Sequence, residues 1–199
     1  MQVKDKLLKK ISWLLIFLIV ASLSKSSVGN KNNLNLINYN EKLKGTSAFF
    51  IQTDGKTLEE GEVYVGVERI RIDYKKPEKI SLVLSKNKSM YLNHDLKEAE
   101  FFNTNKSVIK IFFKILAGED YFNNADIVYE KDKIIIKKQF EIEDIVYKTE
   151  VIYENNPIQL RKIKVIEDSQ YFEIGFFNHK KFSEKNKKFF LLINPYQGN

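Results

Sequence analysis

The sequence contains no cysteine, and that absence removes several chemistries together. It leaves no disulfide framework, no cysteine-ligated zinc, no thiol nucleophile and no cysteine to carry a lipid. Histidine is nearly missing too: only His94 and His179 occur, neither with a metal-ligating partner at a fitting spacing, and Asn93-His94-Asp95 reads as a surface turn. The 8 Gly and 3 Pro are scattered, too sparse to build a phosphate loop. None of G-x-S-x-G, H-E-x-x-H, G-x-x-x-x-G-K-[ST] or G-x-G-x-x-G occurs. Carboxylate pairs such as Glu98/Glu100 and Glu141/Glu143 sit among lysines and read as solvated faces rather than a glycosidase pair. The chain is therefore expected not to be an enzyme and to need no metal or cofactor.

What is present is an aromatic-rich, moderately basic chain. Fifteen Phe and ten Tyr among 199 residues exclude a disordered polymer and suit one domain with a sizeable core. The formal charge of +7 invites a nucleic-acid reading, but residues 1–27 hold five Lys and one acid, which leaves the remainder at +3. Without exposed aromatics interleaved with base in a recognisable module, no nucleic-acid partner is expected. Lys4 to Lys10 followed by the 13-residue apolar run Ile11–Leu23 and a serine-rich stretch reads as a secretory signal. The run is too short for a membrane span, which needs about 20 residues. Cleavage is expected between about Ser24 and Gly29, leaving residues 28–199 as one exported domain.

Beyond this segment, Leu34, Ile37, Tyr39 and Leu43 fall at near-helical spacing up to Gly45. Short alternating segments separated by turn signals then dominate. They are Ala48–Gln52, Gly61–Pro77, Lys79–Ser85, Ser89–Leu92 and Leu96–Phe102, then Ala125–Lys131, Lys133–Phe140, Ile145–Glu154, Ile158–Glu167 and Tyr171–Phe177. Such regular hairpin spacing favours one strongly curved antiparallel sheet of ten or eleven strands, a mainly β fold with a few helices. Several later strands are apolar at both parities, which predicts that parts of both faces are covered. One segment breaks the meander: Asn105–Gly118, with Val108, Ile109, Phe112, Ile115 and Leu116 at helical spacing and Ile111 and Phe113 besides, predicts a helix apolar on most of its circumference.

Gly61–Pro77 (G-E-V-Y-V-G-V-E-R-I-R-I-D-Y-K-K-P) holds two phases of alternation. Val63, Val65 and Val67 share one parity and Ile70, Ile72 and Tyr74 the other, so a bulge, corner or tight turn is required near Gly66–Arg69. The second strand sets Ile70, Ile72 and Tyr74 against Arg69, Arg71 and Asp73, one row inward and one to water.

The order of these elements resembles the LolA family of periplasmic lipoprotein carriers over residues 34 to about 177. The elements that carry the likeness are Phe50-Ile51-Gln52 before a glycine-led strand, Gly61–Val65, then Arg69–Pro77 in place of an R-(F/W)-(R/N)-W-x-Y-x-x-P element, the Leu82–Leu92 hairpin and the mid-chain apolar helix. The resemblance implies an unclosed β-barrel whose concave face, closed by lid helices, holds lipoprotein acyl chains. Carried over, the lipid-binding positions are Phe50, Val63, Val65, Ile70, Ile72, Tyr74, Leu82 and Leu84 on the strands. Val108, Ile109, Phe112, Ile115 and Leu116 are those of the lid helix. Ile72 stands where the family has Trp, and the family's lid-locking Arg has no counterpart near Gly66, so that role passes in expectation to Arg69 or Arg71.

The implied partners are acylated outer-membrane lipoproteins as cargo, the inner-membrane lipoprotein-releasing ABC transporter, and an outer-membrane lipoprotein receptor. The implied state is a periplasmic monomer. The related receptor is itself anchored through a Cys, which this chain lacks. Two other readings are an exported domain of the same fold that senses lipids or lipoproteins, and an exported β protein with an ordinary core.

Overall fold

The computed structural model describes residues 28–117, 119–182 and 188–197. The expected signal, residues 1–27, lies outside the described residues, as does part of the tail. Among the described residues no helix is long and apolar enough to cross a membrane. From residue 37 onward the described residues form one compact unit. Helix α1, Val28–Leu43, is longer than the spacing of apolar residues predicts. Its buried positions are Leu36, Asn40 and Leu43, while Leu34, expected inward, is 56% exposed.

Eleven strands form one antiparallel sheet. The first meander is β1 (Thr46–Thr53), β2 (Leu58–Val65), β3 (Ile70–Lys76), β4 (Ile80–Leu84), β5 (Lys88–Asn93) and β6 (Glu98–Asn103). The second is β7 (Asp126–Tyr129), β8 (Lys133–Ile142), β9 (Ile145–Asn155), β10 (Ile158–Glu167) and β11 (Gln170–Lys181). The order across the sheet is β6-β5-β4-β3-β2-β1-β11-β10-β9-β8-β7, so the meanders join through β1 and β11. The two edge strands, β6 and β7, are consecutive in sequence. Between them run a 3₁₀ turn (Thr104–Lys106), helix α2 (Ile109–Ala117) and a second 3₁₀ turn (Glu119–Phe122). The barrel is unclosed, and α2 is the link from one edge to the other.

Local chemistry sets the hairpins. In the β1–β2 turn, Asp54 Oδ1 accepts from the Lys56 and Thr57 N–H groups at 2.9 and 2.7 Å, bonds that hold its carboxyl down at about 2. Gly55 takes φ +87° there. The expected corner at Gly66–Arg69 is a full reversal: Gly66 N donates to Arg69 O at 2.8 Å, and Val65 pairs with Ile70. Four connecting residues put 65 opposite 70, and this produces the change of parity. The double apolar parity of the later strands has a different outcome from the one expected. Ile135 and Ile152 face each other half-buried on the outer side and Phe177 is 38% exposed, whereas the covered outer face belongs to the first meander.

Candidate functional site

The inner face is assembled by register. Gly61, Val63 and Val65 of β2 stand opposite Tyr74, Ile72 and Ile70 of β3. Ile72 and Ile70 oppose Leu82 and Leu84 of β4, and Phe50 of β1 lies between Gly61 and Phe176 of β11. Phe50, Val63, Val65, Ile70, Ile72 and Leu84 are buried, and Tyr74 and Leu82 are half-buried. All eight expected strand positions thus share one face. The row continues over the second meander through Ile174, Ile163, Val151 and Ile136, which pair in succession. These four are missing from the expected positions, because apolar residues at both parities hide which row faces inward.

Gly61 has a steric reason to be glycine. A Cβ there would lie 2.3 Å from Asp73 O and 2.7 Å from the Phe50 ring, which packs edge-on against Tyr74 at 5.1 Å. At the rim of this face Tyr74 donates to Gln52 Oε1 at 3.1 Å, and Gln52 Nε2 donates to Glu59 at 2.7 Å. Burial pushes the Tyr74 phenol well up, and burial followed by the Asp54 charge raises the Glu59 carboxyl.

Helix α2 lies on β3 and sets Phe112 against Phe172 of β11 in a stack at 5.3 Å. Its buried positions are Ile111, Phe112, Ile115 and Leu116, none more than 4% exposed. Val108 and Ile109, expected inward, are half-buried. The helix begins at Ile109, after a turn in which Ser107 Oγ accepts from Ile109 N at 3.3 Å, so Val108 precedes it and Ile109 is its first residue, while Ile111 joins Phe112, Ile115 and Leu116 on the buried side. Three polar clusters hold the segment. On the N-terminal side the buried Ser89 and Thr104 hydroxyls bond at 2.7 Å. On the C-terminal side Lys138 Nζ donates to the carbonyls of Asp120, Tyr121 and Asn123 at 3.2, 3.0 and 2.6 Å. Thr149 gives its hydroxyl hydrogen to Lys138 O, so the Tyr121 phenol, pushed up by burial to about 12, donates to Thr149 at 3.2 Å. Along the helix itself, Asn40 Nδ2 donates to Ile115 O at 2.9 Å.

Arg69 and Arg71 do not make the expected lid contact. Arg71 alternates with Ile70 and Ile72, so it projects from the opposite face, and both guanidinium groups reach residues 188–197 instead. Arg69 Nη1 donates to Phe190 O at 2.6 Å, and Arg71 Nη1 to Phe189 O at 3.0 Å with its guanidinium 4.5 Å above the Phe189 ring. Arg71 also pairs with Asp73 at 2.7 Å, and Ser81 donates to the same carboxylate at 2.5 Å. Ser81 thereby accepts from His94 Nε2 at 2.8 Å, which leaves His94 Nδ1 to accept from the Tyr196 hydroxyl at 2.7 Å. His94, expected as a surface turn residue, is a half-buried bridge to the C-terminal segment. Leu192 and Tyr196 then pack on Val83, Met90 and Leu92.

A concavity of about 650 Å³ is on the second meander and is bordered by Asp126, Lys137, Lys148, Glu150 and Ile166. None of the expected lipid-binding residues borders it. Among the described residues there is no cluster of three or more His, Asp or Glu able to hold a metal.

No family model matches the sequence, and neither does any curated protein. Comparison with solved structures gives low-identity likenesses. An uncharacterized conserved protein from Thermus thermophilus superposes with a TM-score of 0.50 at 8% identity, over 78% of this chain and 90% of that one. The Pseudomonas aeruginosa MucA/MucB complex aligns at 0.44 and 11% identity, over 79% of this chain and 58% of the other. LprF from Mycobacterium bovis aligns at 0.36 and 10%, over 75% and 92%. At 8% identity the first likeness concerns the fold alone, and nothing is argued from the other two. The LolA family accordingly remains a resemblance on the elements already quoted.

Proposed function

We infer that this chain binds acyl chains on the inner face of its sheet and carries acylated lipoproteins across the periplasm from the inner to the outer membrane. It does so without catalysis, after export directed by residues 1–27. The observation that carries the reading is α2, a helix apolar on most of its circumference whose inward side chains occupy an apolar face built from both meanders. Fully burying four such side chains stabilises by about 6–12 kcal/mol in all, at ~1.5–3 kcal/mol each. An acyl chain of about 14 methylenes gains roughly 11 kcal/mol at ~0.8 kcal/mol per CH₂. The two terms are of one size, so a chain can exchange with the helix without either state becoming a trap, as a carrier must allow.

The test is transfer of a diacylated lipopeptide from donor vesicles to the purified chain and on to acceptor vesicles. Uptake that competes with a fluorescent fatty acid is expected. No uptake of either probe sinks the reading, and a stable protein complex formed without acyl chains points to the sensing alternative.

A further inference from the structure

We propose that Asn40 is the latch that holds α2 closed, a single buried amide fixing the helix to the sheet. The proposal rests on the carrier reading only for the purpose of opening; the latch itself rests on geometry. Asn40 is 7% exposed, and its Nδ2 donates to Ile115 O at 2.9 Å. Ile115 lies in the last turn of α2, where carbonyls lack a partner within the helix. The amide is held from behind. Tyr153, fully buried, donates its hydroxyl to Asn40 Oδ1 at 3.3 Å, which fixes which way the amide faces. The preceding residue, Tyr39, accepts from Leu160 N at 2.9 Å through its hydroxyl and packs edge-on against Tyr153 at 5.7 Å. Tyr39 and Asn40 are therefore fixed to β9 and β10, and α2 is bonded to them.

The other polar ties flank α2 rather than hold it. The Ser89–Thr104 pair and the Lys138 carbonyl cluster fix the two 3₁₀ turns, and these can serve as pivots while the helix between them moves. Lifting α2 breaks the Asn40–Ile115 bond and strands a buried donor and a buried acceptor in apolar surroundings. Half-open positions gain no replacement partner. The lid consequently has two states, closed with the amide bonded and open with both groups wetted, rather than a continuum.

Hydrogen–deuterium exchange on the full chain tests this, with Asn40→Leu, which keeps the volume and removes both bonds, and Tyr153→Phe, which removes only the hydroxyl and keeps the ring against Tyr39. Amides 111–117 should exchange about tenfold faster in Asn40→Leu, the equivalent of ~1.4 kcal/mol of opening, and severalfold faster in Tyr153→Phe, with β2 and β3 unchanged. If Asn40→Leu speeds the sheet as much as the helix, Tyr153→Phe decides alone. Unchanged α2 exchange in a folded variant overturns the latch. Faster α2 exchange with no fatty-acid uptake in variant or wild type upholds the latch and retires the carrier reading.

Discussion

The hairpin β2–β3 is covered on both faces, and the two covers are built on opposite principles. On the inner face, among the described residues, α2 contributes four buried apolar side chains and one hydrogen bond, Asn40 to Ile115 O. On the outer face residues 188–197 are gripped by two arginines, Arg71 held in place by Asp73, and by a His–Tyr bridge, with Phe190 5% exposed against Gly66. Apolar contacts are non-directional, so another apolar group replaces them at little cost. Charge-assisted hydrogen bonds to fixed carbonyls are directional, and removing one partner leaves the other stranded. The inner cover is held by contacts that another apolar group could replace, and the outer one is a strap.

Like substitutions on the two sides of that contrast test it. Leu84 and Leu116 are 0% and 2% exposed. In the sheet, Leu84→Ala should cost about 3–4 kcal/mol of global stability by urea unfolding, as buried Leu truncations do. In α2, Leu116→Ala should cost below about 2 kcal/mol, because a helix that opens locally relaxes around the gap. Equal losses would mean that α2 is ordinary core.

Gly61→Ala, which drives a Cβ into Asp73 O and the Phe50 ring, should cost about 3 kcal/mol and weaken fatty-acid binding, since it lifts β2 from both neighbours. Arg71→Met should cost about 2 kcal/mol by leaving Asp73 without its cation. It should also expose residues 188–197 to protease while leaving acyl uptake intact. Loss of uptake in that variant would show the two covers to be coupled.

The smallest effect concerns His179, whose Nε2 donates to Leu160 O at 3.0 Å. Burial holds its pKa below the usual imidazole value, so the unfolded chain binds the proton first. Stability should be complete above about pH 7 and fall as pH drops through about 6.5, the unfolded value. His179→Gln should flatten that part of the profile in urea midpoints measured from pH 7.5 to 5.5.

The alternation of Val63/Val65 and Ile70/Ile72, the Asp54-Gly55 turn and the run Ile109–Leu116 are enough to read the sheet, its curvature and its one mid-chain helix, because period and turn chemistry are local properties. Two departures mark the limit of such reading. Helical spacing points to Val108 and Ile109 as lid-face residues, but it does not say where the helix starts, and the start at Ile109 leaves Val108 before the helix and Ile109 as its first residue. The resemblance assigns Arg69 and Arg71 to the lid because it requires a cation there, although Arg71 alternates with Ile70 and Ile72 and so belongs to the opposite face.

By itself, then, the sequence determined that hairpins form, which strand rows are apolar, and that no cysteine is present. Only the tertiary structure decided that β1 pairs with β11, that residues 188–197 close the outer face through contacts far apart in the chain, such as Arg69 to Phe190, and that Asn40 meets Ile115. The reason is physical. Alternation and turns are set by neighbours within a few residues, whereas a guanidinium or a buried amide finds its carbonyl only after the sheet has brought the two together.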